Sequence, residues 1–291
     1  MAKPFLPRVE GWRVCNRRCC PRRWVRLACE RTPPIAVGAG MSILSICGVR
    51  GGCGATAIAA AMAWYREEQG RPVLAIDLCP QNLLRLHFGV PWSEQGGWHA
   101  SLRHGTDWAE SAWQIGRGHL SLVPHGAWAA GEDGPAAGWL RAELGRLARP
   151  VGDMVLLDTP LWAQSCRDQA FSVARHVLAV LPADPISCVL SDNLETELVA
   201  RGVPREGILF VINQFDPARR LDRDVENLLR NMLGSRLAPL PVTRDEAMRE
   251  ALAAGVPVSV FAPESQVADD LRQLAVWLAV KLRRDVESQA A

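Results

Sequence analysis

The chain has 291 residues, of which 48% are hydrophobic and 22% charged, as expected for a folded protein with an ample core. Its formal net charge is only +2, so the overall composition gives no indication of nucleic-acid binding. The longest apolar run, LAVWLAV at 274–280, is far shorter than the roughly 18 residues needed to span a bilayer. We therefore expect no direct insertion into a membrane.

Residues 1–40 differ from the rest of the chain in charge. Eight Arg and one Lys stand against two Glu, a local net charge of +7, whereas the remainder carries −5. This segment is rich in Pro and Cys and shows no hydrophobic periodicity, so we predict a disordered basic extension. An arm that contacts an anionic surface is the alternative interpretation. The segment lacks the apolar stretch of a secretory signal, which favours a cytoplasmic protein.

The nine cysteines show no regular spacing. An odd number of cysteines without an export signal is typical of reduced thiols. The four in the extension could be interpreted as a zinc site, but the paired CxxC spacing and histidines that such sites use are missing there. We therefore predict free thiols throughout the chain.

Residues 41–286 alternate between short apolar runs and longer helical patterns, followed by a tail at 287–291. The apolar runs are bounded by Gly, Pro or Asp, as in strands that are buried on both faces of a parallel sheet. We predict strands at 42–47, 73–77, 119–123, 154–158, 177–181 and 207–212. We predict helices at 54–69, 166–175, 221–233, 245–254 and 264–285. This alternation predicts a single doubly wound α/β domain with a mostly parallel sheet, which binds ligands at the carboxyl ends of its strands.

Six of the eleven tryptophans fall within 92–139, interleaved with Gly and His. We interpret this segment as an irregular insertion whose indoles pack onto the domain. A partner-docking surface is the alternative, because tryptophan is enriched in interface hot spots.

A glycine-rich loop, VRGGCGATA at 49–57, follows the first predicted strand of the domain and precedes a helix. A Walker A loop, GxxxxGK[ST], binds phosphates with backbone N–H groups, a lysine and a hydroxyl that ligates Mg²⁺. The strict pattern fails here because Ala55 occupies the lysine position. A tight strand–helix turn is the simpler alternative, but the strand–loop–helix context favours phosphate binding.

The loop resembles the deviant Walker A motif of the MinD/ParA family of P-loop ATPases, xKGGxGK[ST][ST]. Arg50 aligns with the signature lysine of that family, which crosses the dimer interface to the nucleotide of the partner. Ala55 aligns with the lysine inside the loop, and Thr56 with the hydroxyl that ligates magnesium. The resemblance implies ATP and Mg²⁺ as cofactors and a homodimer formed through the nucleotide face.

Three later segments extend the resemblance. VLAIDLCPQNL at 73–83 is similar to the second motif of the family, and keeps one carboxylate as Asp77 while Cys79 replaces the other. MVLLDTP at 154–160 resembles the Walker B strand, which implies that Asp158 holds Mg²⁺ through water, with Asp77 behind it. FVINQFD at 210–216 implies that Asn213 reads the adenine edge. The implied nucleotide contacts are Arg50, Gly51, Gly52, Cys53, Gly54, Ala55, Thr56, Ala57 and Asn213.

The departures from the general motif are shared by one branch of the family, the BcsQ proteins that accompany bacterial cellulose synthase. The stretches VRGGCGAT, IDLCPQNLLRLHFGV and TRDEAMREALAAGVPV resemble this branch most closely. The resemblance implies components of the cellulose synthase complex as partners, and a protein that reaches the inner membrane only through them.

Loss of the loop lysine removes a cation but leaves the backbone amides in place. Arg50 of a facing subunit can supply the missing charge, since its planar guanidinium binds phosphate oxygens at two points. Replacing both the lysine and the water-positioning carboxylate removes two contributions to phosphoryl transfer, each worth roughly 10²–10³ in rate. We therefore expect an ATP-dependent scaffold with weak or no hydrolysis, and Asp77 remains the candidate catalytic residue. An active ATPase that positions cargo or the synthase at the pole or membrane is the alternative.

Overall fold

The computed structural model of the protein describes residues 29–31, 42–128, 134–147 and 153–290. The strands within these ranges form one sheet of eight, in the spatial order β1-β4-β5-β3-β6-β2-β7-β8. Their bounds are β1 Cys29–Arg31, β2 Ser42–Gly48, β3 Val73–Asp77, β4 Trp113–Ile115, β5 Leu120–Val123, β6 Met154–Thr159, β7 His176–Pro182 and β8 Ile208–Asn213. The six strands from β5 to β8 in this order pair in parallel, and β4 is antiparallel to both of its neighbours.

Helices cover both faces of the sheet. Their bounds are α1 Ala55–Glu68, α2 Trp98–His104, α3 Trp139–Arg146, α4 Gln164–Val173, α5 Ile186–Ala200, α6 Arg220–Leu233, α7 Ala247–Ala254, α8 Val258–Phe261 and α9 Gln266–Ala290. Single 3₁₀ turns occupy Leu84–Phe88, Trp108–Ser111, Arg205–Gly207 and Gly234–Arg236. One apolar core joins the sheet to α1 and α7–α9, and a second core joins the opposite face to α2–α6. This is a doubly wound α/β fold.

The central strands form because almost every residue in them is apolar. All residues of β3, β6, β7 and β8 are buried, which requires helices on both sides of the sheet. Connecting such parallel strands requires crossovers, and the intervening helices supply them. The fold class and all six predicted strands are thereby confirmed.

The structure contains elements that the sequence patterns did not predict. Residues 92–139 contribute α2 and β4, which were not predicted, together with the predicted strand β5, so much of the segment interpreted as an irregular insertion belongs to the sheet and its cover. Trp98 and Trp108 are buried there, whereas Trp92 is 71% exposed. Of the predicted basic extension, only β1 lies within the described residues, where it pairs with β4.

Over the described ranges, no helix combines the length and the apolar character that crossing a bilayer demands.

Candidate functional site

The glycine-rich loop lies at the carboxyl end of β2, near the middle of the sheet, and leads directly into α1. Gly52 and Gly54 adopt positive φ angles of 77° and 88°, which glycine reaches without steric cost. Among the described atoms, none lies within 4 Å of a Cβ placed on Gly51 or Gly52. The outer side of the loop is therefore open, with room for a ligand against its backbone.

The amino end of α1 completes this cradle. Gly54 occupies the N-cap position and offers no side chain to accept hydrogen bonds from the first-turn amides. These amides and the positive end of the helix dipole favour an anion at this position. The predicted phosphate contacts from Gly51 to Ala57 are thus brought together by the strand–loop–helix geometry.

Two amide side chains fix the inner side of the loop. Asn213 Nδ2 donates to the Cys53 carbonyl oxygen at 2.8 Å, and Gln214 Nε2 donates to the Gly52 carbonyl oxygen at 2.9 Å. We predicted that Asn213 reads the adenine edge; in this structure its amide group holds the loop. Gln214 was not singled out from the sequence, although its position beside Asn213 at the end of β8 is the signal that would have found it.

Arg50 leaves the loop towards α5 and forms an ion pair with Asp184 of the same chain. Asp184 also accepts a hydrogen bond at 3.0 Å from the backbone N–H of Ser187 in the first turn of α5. The Arg50 side chain remains 49% exposed. The guanidinium therefore lies at the surface beside the loop, where another molecule can reach it.

Two carboxylates meet where β3 and β6 end. Asp77 and Asp158 are direct partners in the register of these neighbouring strands, and both are buried. Each oxygen of Asp77 accepts one backbone hydrogen bond, from Cys79 N–H at 2.9 Å and from Leu84 N–H at 3.1 Å. Within the described part of the chain, neither carboxylate oxygen of Asp158 has a hydrogen-bond partner of ordinary geometry.

Burial shifts the protonation of this pair. Burial raises the pKa of Asp158 to about 7, while the nearby Thr56 hydroxyl and Cys79 thiol oppose the shift. Burial and the charge of Asp158 together raise the pKa of Asp77 well above its usual value. Two buried carboxyl groups without a cation resist ionisation, so a metal ion would be strongly stabilised between them.

The residues present fit a magnesium ion. The orphaned oxygens of Asp158 and the hydroxyl of Thr56, in the first turn of α1, are oxygen donors of the kind that Mg²⁺ prefers. Asp77 is fixed behind them by its two backbone hydrogen bonds. An ion held here would neutralise phosphate charge beside the loop.

An open cleft of about 290 Å³ adjoins the loop. One wall consists of Gly54, Thr56 and Ala57, and Asn213 and Gln214 lie beside them. The opposite wall is formed by residues 243–246 and by α7, including Met248 and Arg249. The cleft is concave, has mixed polarity and is continuous with the loop, as expected of a small-molecule site.

The fold and this loop define a P-loop α/β protein of the MinD/ParA type. The structure is similar to the cell-division ATPase MinD of Pyrococcus furiosus, with a TM-score of 0.66 and 22% identity over 82% of this chain and 98% of that one. It is also similar to MinD of Pyrococcus horikoshii in complex with Mg-ADP, with a TM-score of 0.65 and 19% identity over 81% and 94% of the two chains. Another similar structure is a complex of a Cyanothece McdA variant with ATP, with a TM-score of 0.63 and 18% identity over 82% and 97%.

The particular family follows from sequence. Residues 41–279 match the family model described as cellulose biosynthesis protein BcsQ. The chain is 31% identical over 245 residues to BcsQ of Escherichia coli K12 and 32% identical over the same length to BcsQ of Salmonella typhimurium LT2. Each match covers 81% of this chain and 94% of the relative. The chain belongs to the BcsQ family.

Proposed function

We propose that the protein binds ATP with Mg²⁺ at the loop and cleft and thereby forms a homodimer that acts as a scaffold in bacterial cellulose biosynthesis and secretion. The observation that carries this proposal is the open loop beside Asp158, whose buried carboxylate oxygens have no hydrogen-bond partner of ordinary geometry among the described residues. The loop offers amides to an anion and Asp158 offers a ligand to its counter-cation. Solved relatives of the same fold contain ADP with magnesium or ATP.

Arg50 would provide the positive charge that the loop lacks because Ala55 stands at the lysine position of the family motif. A lysine at position 55 would lie in the first turn of α1, whereas Arg50 lies at the exposed rim of the loop. From that rim the guanidinium can reach the phosphates of a facing subunit. We therefore propose that nucleotide binding and dimer formation are coupled through Arg50.

Exposed apolar side chains support a protein contact on the same face. Leu161 and Trp162 follow β6, and Ile186 and Val189 lie at the start of α5, so all four are at the carboxyl edge of the sheet. Their exposed fractions run from 39% to 61%. Apolar groups around a nucleotide site are suited to burial in a homodimer.

Hydrolysis is proposed to be slow or absent. Cys79 lies where the family motif places the water-positioning carboxylate, and its thiol is 3.7 Å from the Asp158 carbonyl oxygen, to which it donates. A neutral thiol with a raised pKa is a poor substitute for a carboxylate that orients water. We place the dimer in the cytoplasm, peripheral to the inner membrane through components of the cellulose synthase complex.

The test is to purify the full chain, identify the co-purifying nucleotide, and measure the mass of the complex with ATP and Mg²⁺. We expect a bound triphosphate, wild-type dimers, and monomers for Arg50→Ala. Arg146→Ala is the matched control, because Arg146 is an exposed arginine of α3 that also pairs with a carboxylate. Monomers of the wild type with no bound nucleotide would overturn the proposal, and rapid phosphate release would favour the cycling ATPase instead.

A further inference from the structure

Three potential metal ligands converge at the end of β3 and β6. One carboxylate oxygen each of Asp77 and Asp158 and the Sγ atom of Cys79 all lie within 4.8 Å of one another. It is the one group of three such side chains within the described ranges. A single ion can therefore contact all three side chains with small rotations about their bonds.

The surrounding protein already buries and orients these three side chains for binding an ion. Asp158 is 1% exposed, and its two oxygens lack hydrogen-bond partners of ordinary geometry in the described structure, which is costly unless a ligand completes the site. Asp77 is 0% exposed and is oriented by two backbone N–H groups. Outer hydrogen bonds of this kind fix the direction of a metal ligand. Cys79 is the least buried of the three residues.

The donor set differs from that of an ordinary magnesium site. Magnesium prefers oxygen ligands, whereas a thiolate selects borderline and soft cations such as zinc. We propose that Asp77, Cys79 and Asp158 form a binding site for a thiophilic divalent cation, represented by Zn²⁺, that does not require nucleotide. On binding, the Cys79 thiol gives up its proton to solvent and forms a sulfur–metal bond.

The inference deepens the proposed function, because Asp158 would serve both cations. Protein side chains alone would bind a thiophilic ion, whereas magnesium would depend on phosphate oxygens for part of its coordination. Asp158 would then be bound either to the thiophilic ion or to the Mg²⁺ that accompanies the nucleotide. The two ions are thus expected to compete.

The test is a titration of the full chain with Co²⁺ and Cd²⁺ alone, without nucleotide, followed by sulfur-to-metal charge-transfer absorption. The background is a full-length variant in which Cys15, Cys19, Cys20 and Cys29 are all replaced by serine, so that the thiols of the extension contribute nothing. We expect one ion per chain, a charge-transfer band, and release of the Cys79 thiol proton together with the protons that Asp77 and Asp158 hold at the working pH.

Two substitutions separate the sulfur from the carboxylates. Cys79→Ser is expected to abolish the band and to weaken binding by at least the roughly 10- to 100-fold that loss of an outer-shell partner alone causes. Cys79→Asp should also lack the band but should bind Mg²⁺ more tightly than the parent. Cys188→Ser, which alters a buried thiol of α5, is the matched control and should keep the band. Circular dichroism verifies that each variant is folded.

The outcomes separate this inference from the proposed function. Absence of the band in the parent, or its survival in Cys79→Ser, overturns the cation site. If ATP and Mg²⁺ still bind to that protein, the proposed function stands without it. Conversely, a band that is lost in Cys79→Ser, in a chain that binds no ATP, supports the cation site and removes the nucleotide scaffold.

Discussion

At the scale of single residues, Gly54 connects the shape of the loop to its support. Its φ of 88° lies in the left-handed region, and a Cβ there would approach Asn213 Nδ2 to 2.4 Å. Asn213 in turn holds the Cys53 carbonyl. A side chain at position 54 would therefore strain the backbone and displace the amide that fixes the loop. Gly51 has neither a positive φ nor a neighbour in that position.

This contrast yields a matched pair of variants. Gly54→Ala is expected to lower the free energy of unfolding of the nucleotide-free protein by about 1–3 kcal/mol, because of the backbone strain and the lost contact. Gly51→Ala should change it by less than about 0.5 kcal/mol. Urea unfolding followed by circular dichroism measures both values. Equal stability of the two variants would contradict the loop geometry described above.

The protonation of Asp158 gives a second prediction at this scale. Its pKa is raised from 3.8 to about 7 in the folded state, so the folded protein holds a proton that the unfolded chain has lost. The stability from this group is fully present below pH 3.8 and is lost as the pH rises through 7, with a slope of at most about 1.4 kcal/mol per pH unit.

Replacing Asp158 by asparagine removes this titration. With a chelator present, the stability of Asp158→Asn relative to the wild type is expected to rise between pH 5 and pH 7 and to level off above that. Urea unfolding over this pH range measures the difference. A difference that stays constant with pH would show that the carboxyl group is already ionised in the folded protein.

At the scale of elements, the tryptophan-rich segment supports the site. The indole Nε1 of Trp98, in the first turn of α2, donates to the Asp77 carbonyl oxygen at 2.7 Å. The Trp98 ring is 0% exposed and stacks on Trp139 at a centroid distance of 4.7 Å. The segment thus fixes the end of β3, which carries Asp77, one of the two carboxylates of the site.

Trp98→Phe keeps an aromatic ring but removes the donor. It is expected to lower the free energy of unfolding by about 1–3 kcal/mol, since a buried acceptor loses its partner. Trp92→Phe, at a position that is 71% exposed, should change it by less than about 0.5 kcal/mol. Chemical denaturation of both variants tests this, and a neutral Trp98→Phe would show that α2 does not support β3.

The elements that could be predicted are those with a clear pattern of apolar residues or glycines in the sequence. The buried parallel strands are continuous apolar runs, and the loop has its own glycine spacing, so both were visible in the sequence. Helix α5 was not predicted because its sequence pattern does not match its burial. The apolar side chains of Ile186 and Val189 are exposed, whereas the polar side chains of Ser187 and Ser191 are buried. The pair of Arg50 with Asp184 joins residues 134 positions apart, which no local pattern reveals.

At the scale of the whole molecule, the proposed dimer face contains the exposed apolar residues beside the loop, among them Ile186. Ile186→Asp should weaken the ATP-dependent dimer by more than about 1 kcal/mol, because it would bury a carboxylate in the contact. Leu228→Asp is the control, since Leu228 is 49% exposed on the outer side of α6. Sedimentation of both variants with ATP and Mg²⁺ measures the effect, and equal dimerisation would place the interface elsewhere.

In the proposed dimer, Arg50 would have to leave its ion pair with Asp184. Because Arg50 is about half exposed and Asp184 a quarter exposed, their attraction is worth no more than about 1 kcal/mol. Exchanging the carboxylate for a phosphate on another subunit would therefore weaken the new contact by less than about tenfold. In a single chain the Arg50 charge is balanced by Asp184, and a phosphate bound to a second copy would compete with that carboxylate at a small cost in free energy.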